Sequence, residues 1–201
     1  MAKSWGKADY KQLLKLRENL GKLQEVDMDR FCRDVSKELA ARLLALVIPR
    51  TPVGNYKIEV ETVAKRDSKY HKKGDTYTKR INPTGKVGGT LRRGWTARTE
   101  QEASSGAGGK EAKAYAESLP VTKSGDTYTI EVINPVSYAS YVEFGHRQTV
   151  GRYVPAIGKQ LKQGYVNGKY MLTISEQELR QEAPGIIARA LEQELKKVFR
   201  V

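Results

Sequence analysis

Side chains able to do chemistry are few and scattered in this chain of 201 residues. Two histidines, His71 and His146, and one cysteine, Cys32, lie far apart in sequence. Zinc sites draw their ligands from pairs roughly two to five residues apart, and no such pair occurs here. Glu143 is the only acid in the stretch Tyr138-Ala139-Ser140-Tyr141-Val142-Glu143-Phe144-Gly145-His146-Arg147. As a general base it would need a partner group and a cleft, and the sequence displays neither. A buried charge needs pairing, so the expected role is an ion pair with Arg92 or Arg93, in the same subunit or across an interface. The run Gly85-Lys86-Val87-Gly88-Gly89-Thr90 lacks the Gly-Lys-Ser/Thr order of a phosphate loop and reads as a turn. No nucleophile-elbow pattern is present. The expectation is a protein that is not an enzyme, with no catalytic residue, cofactor or metal.

The remaining chemistry is electrostatic. Net charge is +13, which favours an anionic partner, either nucleic acid or an acidic protein surface. The excess concentrates where Lys65, Arg66, Lys69, Lys72, Lys73, Lys79, Arg80 and Lys86 meet only Asp67 and Asp75. Tyr70 and Tyr77 are interleaved with them. Such a stretch can hold a nucleic-acid backbone and stack on bases. The plainer reading is a solvated hairpin arm that touches a neighbouring subunit, with Thr76 to Ile81 as its return strand.

Apolar residues make up 39% of the chain, low for a compact globule of this length and suited to long loops or to surfaces buried only in an assembly. A lone cysteine allows no internal disulfide, which suits a reducing cytoplasm, and Cys32 reads as a core thiol. No apolar run approaches the ~20 residues of a membrane span. The first residues lack the apolar core of a signal peptide, so a soluble protein outside the usual secretory route is expected.

Periodicity supplies the elements that must position these groups. Asp9 caps a first helix from Tyr10 towards Leu20, with Leu13, Leu16, Leu20 and Leu23 as its stripe. Asp27 caps a second, whose seam is Met28, Phe31, Val35, Leu39, Leu43 and Leu46 and whose end is Ile48, before Pro49. That seam fits core packing and subunit packing equally. Tyr56 to Val63 alternates, giving a strand with one dry face of Tyr56, Ile58 and Val60. Thr90 to Thr99 reads as a strand carrying Leu91, Trp95 and Ala97. Glu100 to Leu119 reads as a mobile loop, with a short helix near Lys110 to Ser118. Thr127 to Ile133 alternates after the Gly125-Asp126 turn, with Tyr128, Ile130 and Val132 on one side. The stretch 138–147 reads as a short helix with Tyr138, Tyr141, Val142 and Phe144 on its buried face and Gly145 as its left-handed cap. Tyr153 to Leu161 is irregular, and Tyr165 to Ile174 reads as one or two strands around Asn167-Gly168. Ser175 and Glu178 form a capping box for a last helix, which Pro184 and Gly185 kink or divide.

These pieces predict a single α+β domain over 1–201. A helical part (9–48) is followed by an inserted basic arm (55–88), a region of sheet, loop and short helix (89–174), and a C-terminal helix (175–199). The terminal helices are expected to pack on one antiparallel sheet, built near Tyr56, Leu91, Tyr128 and Tyr170.

The stretch Tyr138 to Arg147 resembles the Tyr-Ala-x-Tyr-Val-Glu-Phe-Gly-Thr signature of a bacteriophage head–tail joining and tail-completion family, first defined in lambdoid coliphages. That family's second element, Ala-Pro-Val-x-Thr-Gly-x-Leu-Arg-x-Ser, is matched here in two pieces: Thr51-Pro52-Val53-Gly54, and Gly88 to Trp95. The split makes the residues between Gly54 and Gly88 an insertion. The resemblance marks Pro52, Leu91, Arg92, Arg93, Trp95, Tyr138, Tyr141, Val142, Glu143, Phe144 and Gly145 as motif or subunit-contact residues. It implies a structural virion protein, assembled in the host cytoplasm into a ring of six identical subunits at the neck, the head-proximal end of the tail. Its implied partners are copies of itself, a head–tail connector or adaptor, and a tail-tube or terminator protein. Genomic DNA would pass without sequence-specific contact, and no membrane is involved. The competing reading is a basic nucleic-acid-binding protein that uses residues 65–86.

Overall fold

The computed structural model describes residues 28–83, 88–107, 109–154 and 159–199, with Glu18 and Gly21. The expected first helix and its cap, Asp27, Gly85, Lys86, Val87, Pro155 and Gly158 fall outside the described residues.

Helix α1 (Met28–Arg50) is the spine. Its driest residues are Ala40, Leu44 and Val47, one position later than the expected Leu39, Leu43 and Leu46, while Met28 is exposed. A helical period fixes a stripe's spacing, but its phase is set by which neighbours arrive. Cys32 is half-buried rather than a core thiol. The helix also continues past the expected stop at Ile48 and through Pro49. The preference before a proline is a bias, and here Thr51 closes the end. Its N–H (3.0 Å) and its hydroxyl (2.8 Å) both donate to the Val47 carbonyl.

Strands β1 (Ile58–Val63) and β2 (Thr76–Ile81) form an antiparallel hairpin in which Ile58 faces Ile81 and Val63 faces Thr76. The return strand is where the sequence places it. The expected dry face of Tyr56, Ile58 and Val60 is absent: all three are exposed, and among the described residues nothing packs over the hairpin. The stretch from Thr90 is helical, not a strand. Helix α2 (Thr90–Gly94) buries Leu91 and Gly94 and leads into a turn that buries Trp95, Thr96 and Ala97.

The Ser/Gly/Ala-rich segment that follows is ordered in two short helices, α3 (Glu100–Ser105) and α4 (Ala112–Glu117). Thr99 caps the first by accepting from the Glu102 N–H. Ala103, Tyr115 and Ala116 are buried, and the Tyr115 hydroxyl donates to the Ala97 carbonyl at 3.2 Å. Small residues here permit close packing rather than disorder.

Strands β3 (Val121–Ser124) and β4 (Thr127–Ile130) form a hairpin around Gly125, with Tyr128, Ile130 and Val132 less exposed than their neighbours as the alternation predicts. After helix α5 (Ala139–Phe144) come β5 (Gly145–Arg147), β6 (Tyr153–Val154), β7 (Lys159–Gln160) and β8 (Tyr165–Asn167). Strand β5 pairs with β8 and β6 with β7. The architecture is α+β, with helices at both ends of the described residues, but the described strands form four two-stranded pairs instead of one sheet. The β3–β4 pair packs on α1 and the β5–β8 pair adjoins α5, the kind of support an isolated hairpin needs for stability.

The last helix, α6 (Met171–Phe199), begins four residues before the expected capping box and runs unbroken past Pro184. Ser175 is therefore interior. It is fully buried and donates to the Met171 carbonyl at 2.7 Å, and the Arg50 guanidinium reaches both it and Glu178. The core gathers α1, α2, α4 and the start of α6 around Leu44, Val47, Leu91, Trp95, Tyr115 and Met171.

Candidate assembly interface

The two motif pieces meet in space. A Cβ on Gly88 would collide with the Gly54 carbonyl, so the backbones touch there and residues 55–87 leave and return at one point. Trp95 is 3% exposed, and its indole N–H donates to the Thr51 hydroxyl at 2.7 Å. Arg92 donates to the Thr51 carbonyl (2.7 and 3.1 Å) and the Pro49 carbonyl (3.3 Å). A guanidinium thus covers the carbonyl end of α1, where the helix dipole favours a cation. Arg93 spans Gly88 and α3, donating to the carbonyls of Gly88 (3.2 Å) and Ala103 (2.8 Å). Pro52 is exposed beside this joint.

Neither arginine meets Glu143 within the subunit, so the expected ion pair inside one chain is not formed. The Glu143 side chain is 5% exposed and points to the start of α6. Its carboxylate accepts from the backbone N–H groups of Leu172 and Thr173, both at 2.9 Å, and from the Thr173 hydroxyl at 2.7 Å. The partner is a helix N-terminus, whose unpaired N–H groups and dipole satisfy a carboxylate as a cation would. The contact is reciprocal, since the N–H groups of Lys169 and Tyr170 donate to the carbonyls of Val142 and Glu143. Tyr170 holds a left-handed φ of 48° at this joint.

Of the four residues expected on the buried face of α5, only Val142 is turned inward. Ala139, Val142 and Glu143 face inward, whereas Tyr138, Tyr141 and Phe144 are 41%, 58% and 59% exposed. Both stripes have helical spacing, so periodicity could not choose between them; the carboxylate's place on α6 does. Gly145 follows with φ 82° and ψ 177°, outside the left-handed cap region, and opens β5. A Cβ there would strike the Val166 carbonyl, so only glycine passes.

The outward aromatics are continuous with other exposed apolar groups. The Tyr165 hydroxyl donates to the Phe144 carbonyl at 2.9 Å. Ile133 and Phe144 line one cleft of about 250 Å³ with Trp95 and Met171 at its floor. A second cleft of about 270 Å³ lies where the motif pieces meet α5, between Pro52, Tyr56, Leu91, Tyr138 and Val142. Burial raises the pKa of the Tyr138 hydroxyl, and the nearby Tyr56 and Glu100 add to it. His146, edge-on to Tyr141 at 5.7 Å, has a buried Nδ1 without a hydrogen-bond partner among the described residues.

The basic residues Lys65, Arg66, Lys69, Lys72, Lys73, Lys79 and Arg80 sit on the β1–β2 arm and are exposed. Among the described residues, no group of three His, Cys, Asp or Glu side chains could hold a metal, and no helix is long and apolar enough to cross a membrane. Thr51, Asn134 and Thr173 hold the site together, and of the three Thr173 carries no signal in the sequence. Asn134 ties the turn before α5 to α2, donating to the Leu91 carbonyl at 2.8 Å. Its signal in the sequence is the Asn134-Pro135 pair, a turn former.

Residues 15–145 match the profile of the HK97-gp10-like family, described as "Bacteriophage HK97-gp10, putative tail-component". The match takes in both halves of the split motif and the signature helix. No curated protein and no solved structure matches the chain.

Proposed function

This chain belongs to the HK97-gp10-like family of bacteriophage tail components, and on that premise we propose that it is a head–tail joining or tail-completion subunit. It forms a closed ring of six copies at the head-proximal end of the tail, between the tail tube or its terminator and the connector. The mechanism is binding and geometry, without turnover. The observation that carries this reading is the outward ridge of Tyr138, Tyr141 and Phe144 around the inward Glu143. Large contiguous apolar surface on a monomer marks a contact to be covered. A cyclic assembly needs two unlike faces that meet head to tail and close by rotation. The aromatic ridge is one such face, with Pro52 beside Tyr138 and Trp95 beside Phe144 in the two clefts that flank it.

Electron microscopy of the particle that carries this chain tests the proposal. The expected image is a closed ring of six subunits at the neck. A single copy, or an open filament, would end it.

A further inference from the structure

We infer that the tip of the β1–β2 arm holds the phosphate backbone of double-stranded DNA without reading its sequence. The inference stands apart from the ring assignment, because it rests on the charge and order of the arm alone. The tip is a built loop. The Ala64 N–H donates to the Asp75 carbonyl and the Gly74 N–H to the Ala64 carbonyl, both at 2.9 Å, and Ala64 is buried. Its two acids are turned onto the loop's own backbone. Asp67 accepts from the Lys73 N–H and Asp75 from the Lys72 N–H, each at 2.7 Å. Among the described residues, no ion pair engages Lys65, Arg66, Lys69, Lys72 or Lys73. Five cations thus surround an ordered turn whose acids are already committed.

An acidic protein face would call for matching apolar contact at the tip, and the exposed tip offers one large ring, Tyr70, at 79%. Single-stranded nucleic acid is held by successive free aromatics. Tyr77 cannot serve, because His71 stacks on it at 4.3 Å and 15°. Tyr70 alone, with the Lys69 ammonium 5.7 Å from its ring centre, makes no platform. What remains is a dense set of point charges, which suits regularly spaced phosphates and displaces their counterions.

The test is fluorescence anisotropy of a labelled random-sequence duplex with the full chain, between about 50 and 200 mM salt. The parent is expected to bind with an affinity that falls steeply as salt rises. Neutralising Lys69, Lys72 and Lys73 together to glutamine is expected to weaken binding at least tenfold at low salt. The log–log salt slope should become shallower by about two to three. Neutralising Lys113, Lys162 and Lys169, exposed and off the arm, removes the same charge and is expected to leave that slope in place. If the arm variant melts below the parent, a chain lacking residues 57–86 should show the same loss of binding. Equal losses in arm and off-arm variants overturn the inference, as does tighter binding to a single strand. Equal binding to polyglutamate, or no binding by the parent, does the same.

Discussion

Glu143 is where residue identity and residue role part most clearly. Exchanging it for glutamine keeps the shape but turns an amide N–H towards the N–H groups of α6. Leaving buried donors unmatched costs about 1–3 kcal/mol, so Glu143→Gln is expected to melt lower as an isolated monomer. A monomer that melts like the parent would show that the clasp between α5 and α6 contributes nothing. Trp95 is the second residue on which the motif joint depends. Trp95→Ala opens a cavity worth about 3–5 kcal/mol and removes the donor to the Thr51 hydroxyl, which keeps its own bond to the Val47 carbonyl, against a usual stability of about 5–15 kcal/mol. Thermal melting should show a chain partly or wholly unfolded at room temperature, and a small shift would contradict its place in the core.

Between elements, Asp29 fastens α1 to the β3–β4 hairpin. Its carboxylate accepts from Arg33 (2.6 Å), Lys123 (2.9 Å) and Tyr128 (2.7 Å), while Arg33 also reaches the Val121 carbonyl. These contacts, Arg33 first, hold its pKa well below the ordinary 3.8. A depressed folded pKa gives stability that is whole above the unfolded value and is lost as pH falls through the folded one. Asp29→Asn should therefore melt lower than the parent at neutral pH, and the gap should narrow between about pH 5 and pH 2. A gap that stayed constant over that range would assign the effect to shape rather than charge. The β1–β2 arm makes the opposite prediction. Because Gly54 and Gly88 touch, deleting residues 57–86 should leave circular dichroism and the melting temperature close to the parent's. An unfolded deletion product would make the arm part of the core.

At the scale of the whole molecule, the ridge on α5 should matter to assembly and not to folding. Tyr141→Ala with Phe144→Ala removes two exposed rings, so the monomer should melt like the parent and yet fail to enter particles. Normal incorporation of that variant would shift the subunit contact elsewhere. A chain with a net charge of +13 repels its own copies at long range, so short-range apolar contact has to supply the cohesion of a ring.

The sequence by itself determined the α+β class, the long α1, the presence of a C-terminal helix though not its start at Met171 or its run through Pro184, the return strand from Thr76, and both family motifs. Each rests on local signals: hydrophobic period, turn residues, charge density and short contiguous motifs. Only the tertiary structure decided which stripe of α5 faces inward, because Tyr138, Tyr141 and Phe144 share helical spacing with Ala139, Val142 and Glu143. It also replaced an expected arginine with a helix N-terminus as the partner of Glu143. A carboxylate needs positive potential, and backbone N–H groups from residues 172 and 173 supply it without any mark in the side-chain sequence. The helices over Thr90–Gly94 and Glu100–Ser105, and the packing of Ala112–Glu117, were hidden for a related reason. Leu91, Ala103 and Tyr115 gain their burial from α1 and from one another, which is a property of the packed chain and of no window within it.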